Sequence, residues 1–291
     1  MTNSIKLFII SLLFSTFYFT QLYGQKEDKS LLYEISGNGL TQPSYLYGTI
    51  HIICKDDFVM TEATKQKFTE AQQVYLELDM DDPKMMPDMM KSMYMTDGST
   101  IKNLLSESEY QKVSQFFKDS LKINIGAMDK MKPFVLSSMT LPKMLSCPTQ
   151  SYEETFVKMA KAEKKEILGL ETVDEQFGAM DKMGMKKQAD MMLVQMVDNW
   201  NDGKKLIHNM IEDYKKQDIE LLLEDMAKSK SSNTEFQKDL LENRNENWIP
   251  RIAKIAKEKP TFFAVGAGHL GGEKGVVALL KKQGYSVKAV K

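Results

Sequence analysis

Ser44-Tyr45-Leu46-Tyr47-Gly48-Thr49-Ile50-His51 is the stretch on which the fold turns. It reads as a short apolar strand that runs into a glycine and, three residues later, a histidine. Near the other end of the chain the pattern returns as Thr261-Phe262-Phe263-Ala264-Val265-Gly266-Ala267-Gly268-His269. The chain has three histidines, and two of them stand in this setting. Short, nearly continuous apolar runs suit strands that are covered on both faces. The recurrence hints that the two halves resemble each other.

Further runs read as strands. These are Leu31-Leu32-Tyr33-Glu34-Ile35, Val74-Tyr75-Leu76-Glu77-Leu78-Asp79, Glu166-Ile167-Leu168-Gly169-Leu170 and residues 285–290. Helical patterns fill residues 61–73 with Thr61 as N-cap, 106–119, 133–145 and 151–161. Glu153 and Glu154 fall in the first turn of the last of these, where they complement the helix dipole. More helical stretches follow over 173–183, 186–200, 204–216, 219–228, 234–257 with a kink expected at Pro250, and 273–282. Strands thus flank a nearly all-helical middle. The class is α/β, a central mixed sheet with helices on its faces and a long helical insertion in the middle.

The 291 residues carry a net charge of −1, with 42% hydrophobic and 27% charged residues. That composition is globular. Near-neutral charge gives no basic footprint, so nucleic acid is not expected as a partner. Lys6 precedes an apolar run to Phe19 that is too short to span a bilayer comfortably, for which about 20 residues are needed. Residues 1–24 therefore read as a secretory signal peptide, with cleavage after Gly24 and residues 25–291 as one mature domain. Leu22 is a mediocre cleavage residue, and an uncleaved anchor is the alternative. No later run is apolar and long enough to cross a membrane. The expectation is an exported protein, periplasmic or secreted. Export permits a Cys54–Cys147 disulfide, which would pin the loop behind His51; two separate thiols are the other reading.

Asp82-Pro83 has the form of a helix start, and the helix after it is rich in methionine. Helical spacing puts Met86, Met89, Met90 and Met93 on one side. Thioether sulfur suits copper(I). Such stripes are more often adaptable packing surface, against the core or a greasy partner.

Four candidate groups share one structural address. His51, Glu77, Glu171 and His269 each follow a predicted strand, and Asp79 ends the Glu77 strand. In open sheets with helices, ligands bind beyond the carboxyl ends of the strands. If these strands are parallel neighbours, the two imidazoles meet carboxylates at one edge. Two histidines and a carboxylate suit a divalent ion, with zinc, manganese and cobalt equally compatible. A spare carboxylate then serves as general base. A glycine ahead of each histidine allows a sharp exit from the strand and a close backbone approach. Asp79 reads as a turn residue and His208 as a surface residue on a charged helix. Arg244 and Trp248, four apart, share a helix face; spacing alone favours a surface arginine stacked on the ring.

The motifs Tyr47-Gly48-Thr49-Ile50-His51, Leu76-Glu77-Leu78-Asp79, Lys132-Pro133-Phe134, Gly169-Leu170-Glu171-Thr172 with Glu175-Gln176, Glu242-Asn243-Arg244-Asn245 and Ala264-Val265-Gly266-Ala267-Gly268-His269-Leu270 come in an order and spacing that resembles the TraB/GumN family. Tiki proteins and PrgY belong to that family. The resemblance implies a metal-dependent, metalloprotease-like hydrolase with a fold similar to erythromycin esterases and a peptide or protein substrate. On it, the ion sits on His51, His269 and at least one of Glu77 and Glu171, with Glu77 the first choice. The other glutamate is the base, and Arg244 orients a ligand or substrate. The alternative is a non-catalytic pocket for a peptide, haem or metal.

Overall fold

The computed structural model describes residues 29–228 and 234–291, and the signal peptide expected over residues 1–24 lies outside them. Strands β1 (Leu32–Ser36), β2 (Ser44–Thr49), β4 (Gln73–Leu76), β6 (Glu166–Gly169), β7 (Thr261–Gly266) and β8 (Ser286–Ala289) form one sheet; β3 (Ile53–Cys54) and β5 (Thr149–Gln150) pair separately. The main sheet has the order β6-β4-β7-β2-β1-β8. The first four are parallel, and β1 is antiparallel to both β2 and β8. This is the expected mixed α/β sheet with helices around it.

The two histidine strands are direct neighbours in the middle. Tyr45 faces Phe262 and Thr49 faces Gly266 in a parallel register. Both strands are buried almost throughout, which is why their sequences run apolar without alternation. Phe262 packs against Phe156 of helix Tyr152–Ala162 and against Phe68, at centroid distances of 5.1 and 5.2 Å. Helix Asn243–Glu258 adds Trp248, Ile249 and Ile252 to the same core.

A second core lies within the helical insertion, around Ile101, Val113, Phe117, Leu136, Phe177 and Leu193. The stretch expected as one helix over 133–145 is two, Pro133–Ser138 and Leu141–Leu145. Pro142 has no N–H to give the preceding turn, so the break falls there. Residues 186–200 are likewise interrupted, by a π-helical turn at Asp190–Val194. The last helix starts at Val276 rather than 273, after Gly272 in the left-handed region at φ 76°. The caps at Thr61 and Ser106 form as expected, with Thr61 accepting from the Thr64 N–H and Ser106 making a capping box with Glu109.

The methionine helix spans Met85–Ser92, not Asp82 onward. Asp82 instead accepts from the Lys84 N–H in a turn, and Pro87 takes the first-turn place where a missing N–H costs nothing. The stripe is also reordered. Met85, Met89 and Met93, spaced by four, face a cavity and the second core, whereas Met86 and Met90 are exposed. Among the described residues no helix is long and apolar enough to cross a membrane.

Candidate active site

Each of the four parallel strands ends on the same edge. Immediately past those ends stand His51 after β2, Glu77 after β4, Glu171 after β6 and His269 after β7. This is the edge where open α/β sheets place their ligands. His208 is exposed on its helix and is not among the residues that line the cavity at this edge. Asp79 accepts from the Asp82 N–H at 3.1 Å and closes a turn.

Arg244 sits at the centre. Its Nη2 donates to Glu77 Oε2 at 2.6 Å and to Glu171 Oε1 at 2.5 Å. Its Nε donates to both oxygens of Glu171 at 3.1 Å. Nη1 donates to the Leu240 carbonyl at 2.9 Å and lies 3.1 Å from His269 Nε2. Leu240 belongs to a π-helical turn, Lys238–Glu242, of the kind often found beside functional residues. The expected stacking on Trp248 is present, with 4.8 Å from the guanidinium carbon to the ring centroid. The expected surface location is not: Arg244 and Trp248 are both buried, because two carboxylates draw the cation inward. Trp248 Nε1 donates to Glu171 Oε2 at 3.1 Å.

Both imidazoles are held from behind. Asn245 Nδ2 donates to the carbonyls of Lys274 and His269, which leaves Asn245 Oδ1 as the acceptor for His269 Nδ1 at 2.6 Å. The proton is thus on Nδ1, and Nε2 offers a lone pair to the interior. Burial depresses the His269 pKa to about 3, against the pull of Glu77, so the ring is neutral. His51 Nδ1 bonds Glu153 Oε1 at 2.9 Å. Glu153 is fixed in turn by the Thr49 hydroxyl at 2.6 Å and the Ser151 hydroxyl at 2.8 Å. The His51 side chain is 70% exposed, and desolvation by its neighbours is outweighed by the Glu153 hydrogen bond and charge, which hold its pKa at about 9.

Glu77 Oε1 accepts from the Gly266 N–H at 2.7 Å, and Gln176 donates to Oε2 at 3.1 Å. Burial pushes the Glu77 carboxyl up, yet the positive charge around it, from His269 when protonated, Arg244 and His51, brings it to about 2. Since the His269 ring is neutral, Arg244 is the principal cation. Glu171 goes the other way: burial raises it in spite of Arg244. Glu171 lies behind the guanidinium and is absent from the wall of the cavity that Glu77, His51, His269 and Arg244 all line.

Gly266 shows why glycine precedes the histidine. A Cβ there would lie 3.3 Å from Glu77 Oε1, 3.6 Å from His269 Cδ2 and 3.8 Å from His51 Nε2. The three groups converge on the space that a side chain would fill. Gly48 serves close approach as well, since a Cβ would meet Leu270 Cδ1 at 2.6 Å. Neither glycine has positive φ, so the anticipated sharp strand exit is not what selects it.

These residues fit a divalent ion in kind: His269 is protonated on Nδ1, His51 has its Nδ1 anchored, and His269 Nε2 is 3.8 Å from the anionic Glu77 Oε1. Among the described residues no three His, Cys, Asp or Glu side chains are grouped closely enough to hold one. Arg244 Nη1 caps the His269 lone pair in this state.

Sequence reasoning missed Glu153, Asn245 and Gln176 as partners of the site. Glu153 was legible only as a helix-dipole residue, and its meeting with His51 is built by distant segments. Cys54 and Cys147 form a disulfide, and beside it Ile53 pairs with Gln150 and Cys54 with Thr149. This staple joins the loop after His51 to the segment leading to Glu153. The two cysteines are 93 residues apart, so the bridge removes much unfolded-chain entropy. Replacing both by serine is expected to lower unfolding stability by about 2–4 kcal/mol. Urea unfolding measures this, and an unchanged midpoint would contradict the stapling role.

In front of the strand ends lies a cavity of about 610 Å³. Its charged groups lie toward the sheet edge, and much of the remainder is lined by methionine, leucine and phenylalanine side chains.

Residues 31–289 match the TraB/PrgY/gumN family model, and the chain belongs to that family. It is 23% identical over 309 residues to "Metalloprotease TIKI homolog" of Nematostella vectensis, a match covering 86% of this chain and 65% of that protein. It is 22% identical over 302 residues to "Metalloprotease TIKI1" of Danio rerio, covering 84% and 60%. Against "Metalloprotease TIKI1" of Homo sapiens the identity is 21% over 320 residues, covering 91% and 62%. The chain thus matches less than two thirds of the length of these curated relatives. No solved structure matches it.

Proposed function

We propose that this member of the TraB/PrgY/gumN family is an exported metal-dependent peptidase whose ion is held by His51, His269 and Glu77. The observation behind the reading is the convergence of those three side chains within 4 Å of one point at Gly266. The metalloprotease names of the relatives support the reaction class. When bound, the ion supplies a Lewis acid that polarises a carbonyl and lowers the pKa of water.

The chain's own residues divide the remaining work. Glu77, ionised down to about pH 2, is a poor proton acceptor and a good anionic ligand. Asn245 and Glu153 fix the ring orientations, the role that outer partners of histidine ligands play elsewhere. Glu171, the other glutamate considered as base, is placed to hold Arg244, and its effect on the site runs through that guanidinium. Arg244 keeps Glu77 charged and lines the cavity, where its fork can orient a substrate carbonyl or carboxylate. His51, held at a pKa of about 9 by Glu153, would have to release a proton before it could serve as a ligand at neutral pH.

One observation favours a second reading. With Arg244 Nη1 on the His269 lone pair, the site is self-satisfied without an ion, as a non-catalytic peptide pocket would be. Purified full-length protein assayed for bound zinc, manganese and cobalt, and then for cleavage of a peptide library with and without chelator, separates the two. Chelator-sensitive cleavage that is lost in His51→Ala and His269→Ala is expected. Peptide binding with neither metal nor cleavage would establish the pocket instead.

A further inference from the structure

The cavity divides by chemistry. Its charged groups, His51, Glu77, Glu153, Arg244 and His269, all lie at the strand ends, and each is already partnered. The rest of the lining is rich in thioethers. Seven methionines line the cavity, among them Met85, Met89 and Met93 from one helix and Met180, Met210 and Met226 from three others, with Met226 packed against Gly268 beside His269. A charged ligand group placed there would lose its water and find no counter-ion. An apolar side chain would find long, polarisable, unbranched partners that reshape around it.

We propose that this methionine lining receives the large apolar side chains next to the scissile bond, making the site selective for apolar peptides of varied shape. The proposal rests on the peptidase reading for its cleavage step and on the cavity alone for its binding step. Methionine walls favour breadth: leucine, methionine and phenylalanine are accommodated alike, and lysine and aspartate are refused. The cavity's volume of about 610 Å³ lies within the range of small-ligand pockets, which run from about 300 to about 1,000 Å³. Several side chains fit in it together.

The test uses the full chain loaded with the ion that supports cleavage. Glycine-flanked hexapeptides with a central Leu-Phe, Lys-Lys, Asp-Asp or Gly-Gly pair are compared by kcat/KM. A preference of about tenfold or more for Leu-Phe is expected, and Met89→Lys is expected to erase it while Met89→Leu keeps it. Met89 is half-buried on a short helix, so both variants are checked by circular dichroism for an intact fold. In parallel, a fluorescein-labelled Leu-Phe peptide is titrated onto His269→Ala, followed by anisotropy. Binding weakened about tenfold by adding Met89→Lys supports the proposal even if no peptide is ever cleaved, in which case only the peptidase reading fails. Cleavage without preference, or with preference for a charged pair, overturns the proposal and leaves the peptidase reading intact. Absence of peptide binding to His269→Ala also overturns it.

Discussion

Replacing Arg244 by methionine is expected to cost about 3–5 kcal/mol of folding stability, among the largest effects of any single substitution in this chain. The side chain is buried between Glu77 and Glu171, themselves buried, and is the nearest cation to both. Methionine fills much of the space but leaves two carboxylates facing each other in low dielectric. Burial and mutual repulsion then raise the pKa of one of them above its unfolded value, so stability rises as the pH falls through that raised pKa toward the unfolded one. Arg244→Lys keeps the charge but cannot reach Glu77, Glu171, the Leu240 carbonyl and His269 at once, so it falls between. Adding Glu171→Gln to Arg244→Met is expected to recover part of the loss. Urea unfolding at several pH values measures all of this. A loss below about 1 kcal/mol, within the range of surface ion pairs, would mean that the guanidinium is not the keystone inferred here.

His269→Ala is expected to abolish retention of the ion and with it peptide cleavage, while leaving the fold in place. Its graded counterpart is Asn245→Leu. Without the Asn245 oxygen, the His269 proton is free to move to Nε2, which would then point a hydrogen at the ion. Loss of such an outer partner typically costs about 10–100-fold in metal affinity. The same logic applies to Glu153, where glutamine can still accept from His51 Nδ1 and leucine cannot. Competition with a chelating dye gives the affinities. Equal affinity for wild type and Asn245→Leu would remove the tautomer from the account.

Most of the sheet was legible because its strands are buried on both faces. Thr261–Gly266 needs no partner to read as a strand, and its glycine and histidine announce the edge. What could not be read is whatever depends on two distant segments meeting. Glu153 looks like an ordinary first-turn glutamate until the β3–β5 pair brings it to His51. Arg244 looks like a surface residue until Glu77 and Glu171 close on it. The methionine face was misplaced for a local reason: Pro87 in the first turn moves the helix start to Met85, and the cavity decides which methionines turn inward. Breaks at Pro142 and at the π turns follow backbone chemistry that apolar periodicity does not register.

On the proposed function, two Gly-x-x-His motifs, far apart in sequence, share one ion. Calorimetric titration of metal-free protein with zinc tests it most directly, with His51→Ala and His269→Ala alongside. One ion per chain for wild type and none held tightly by either variant is the predicted result. Two independent sites, or an ion kept by either single variant, would contradict it.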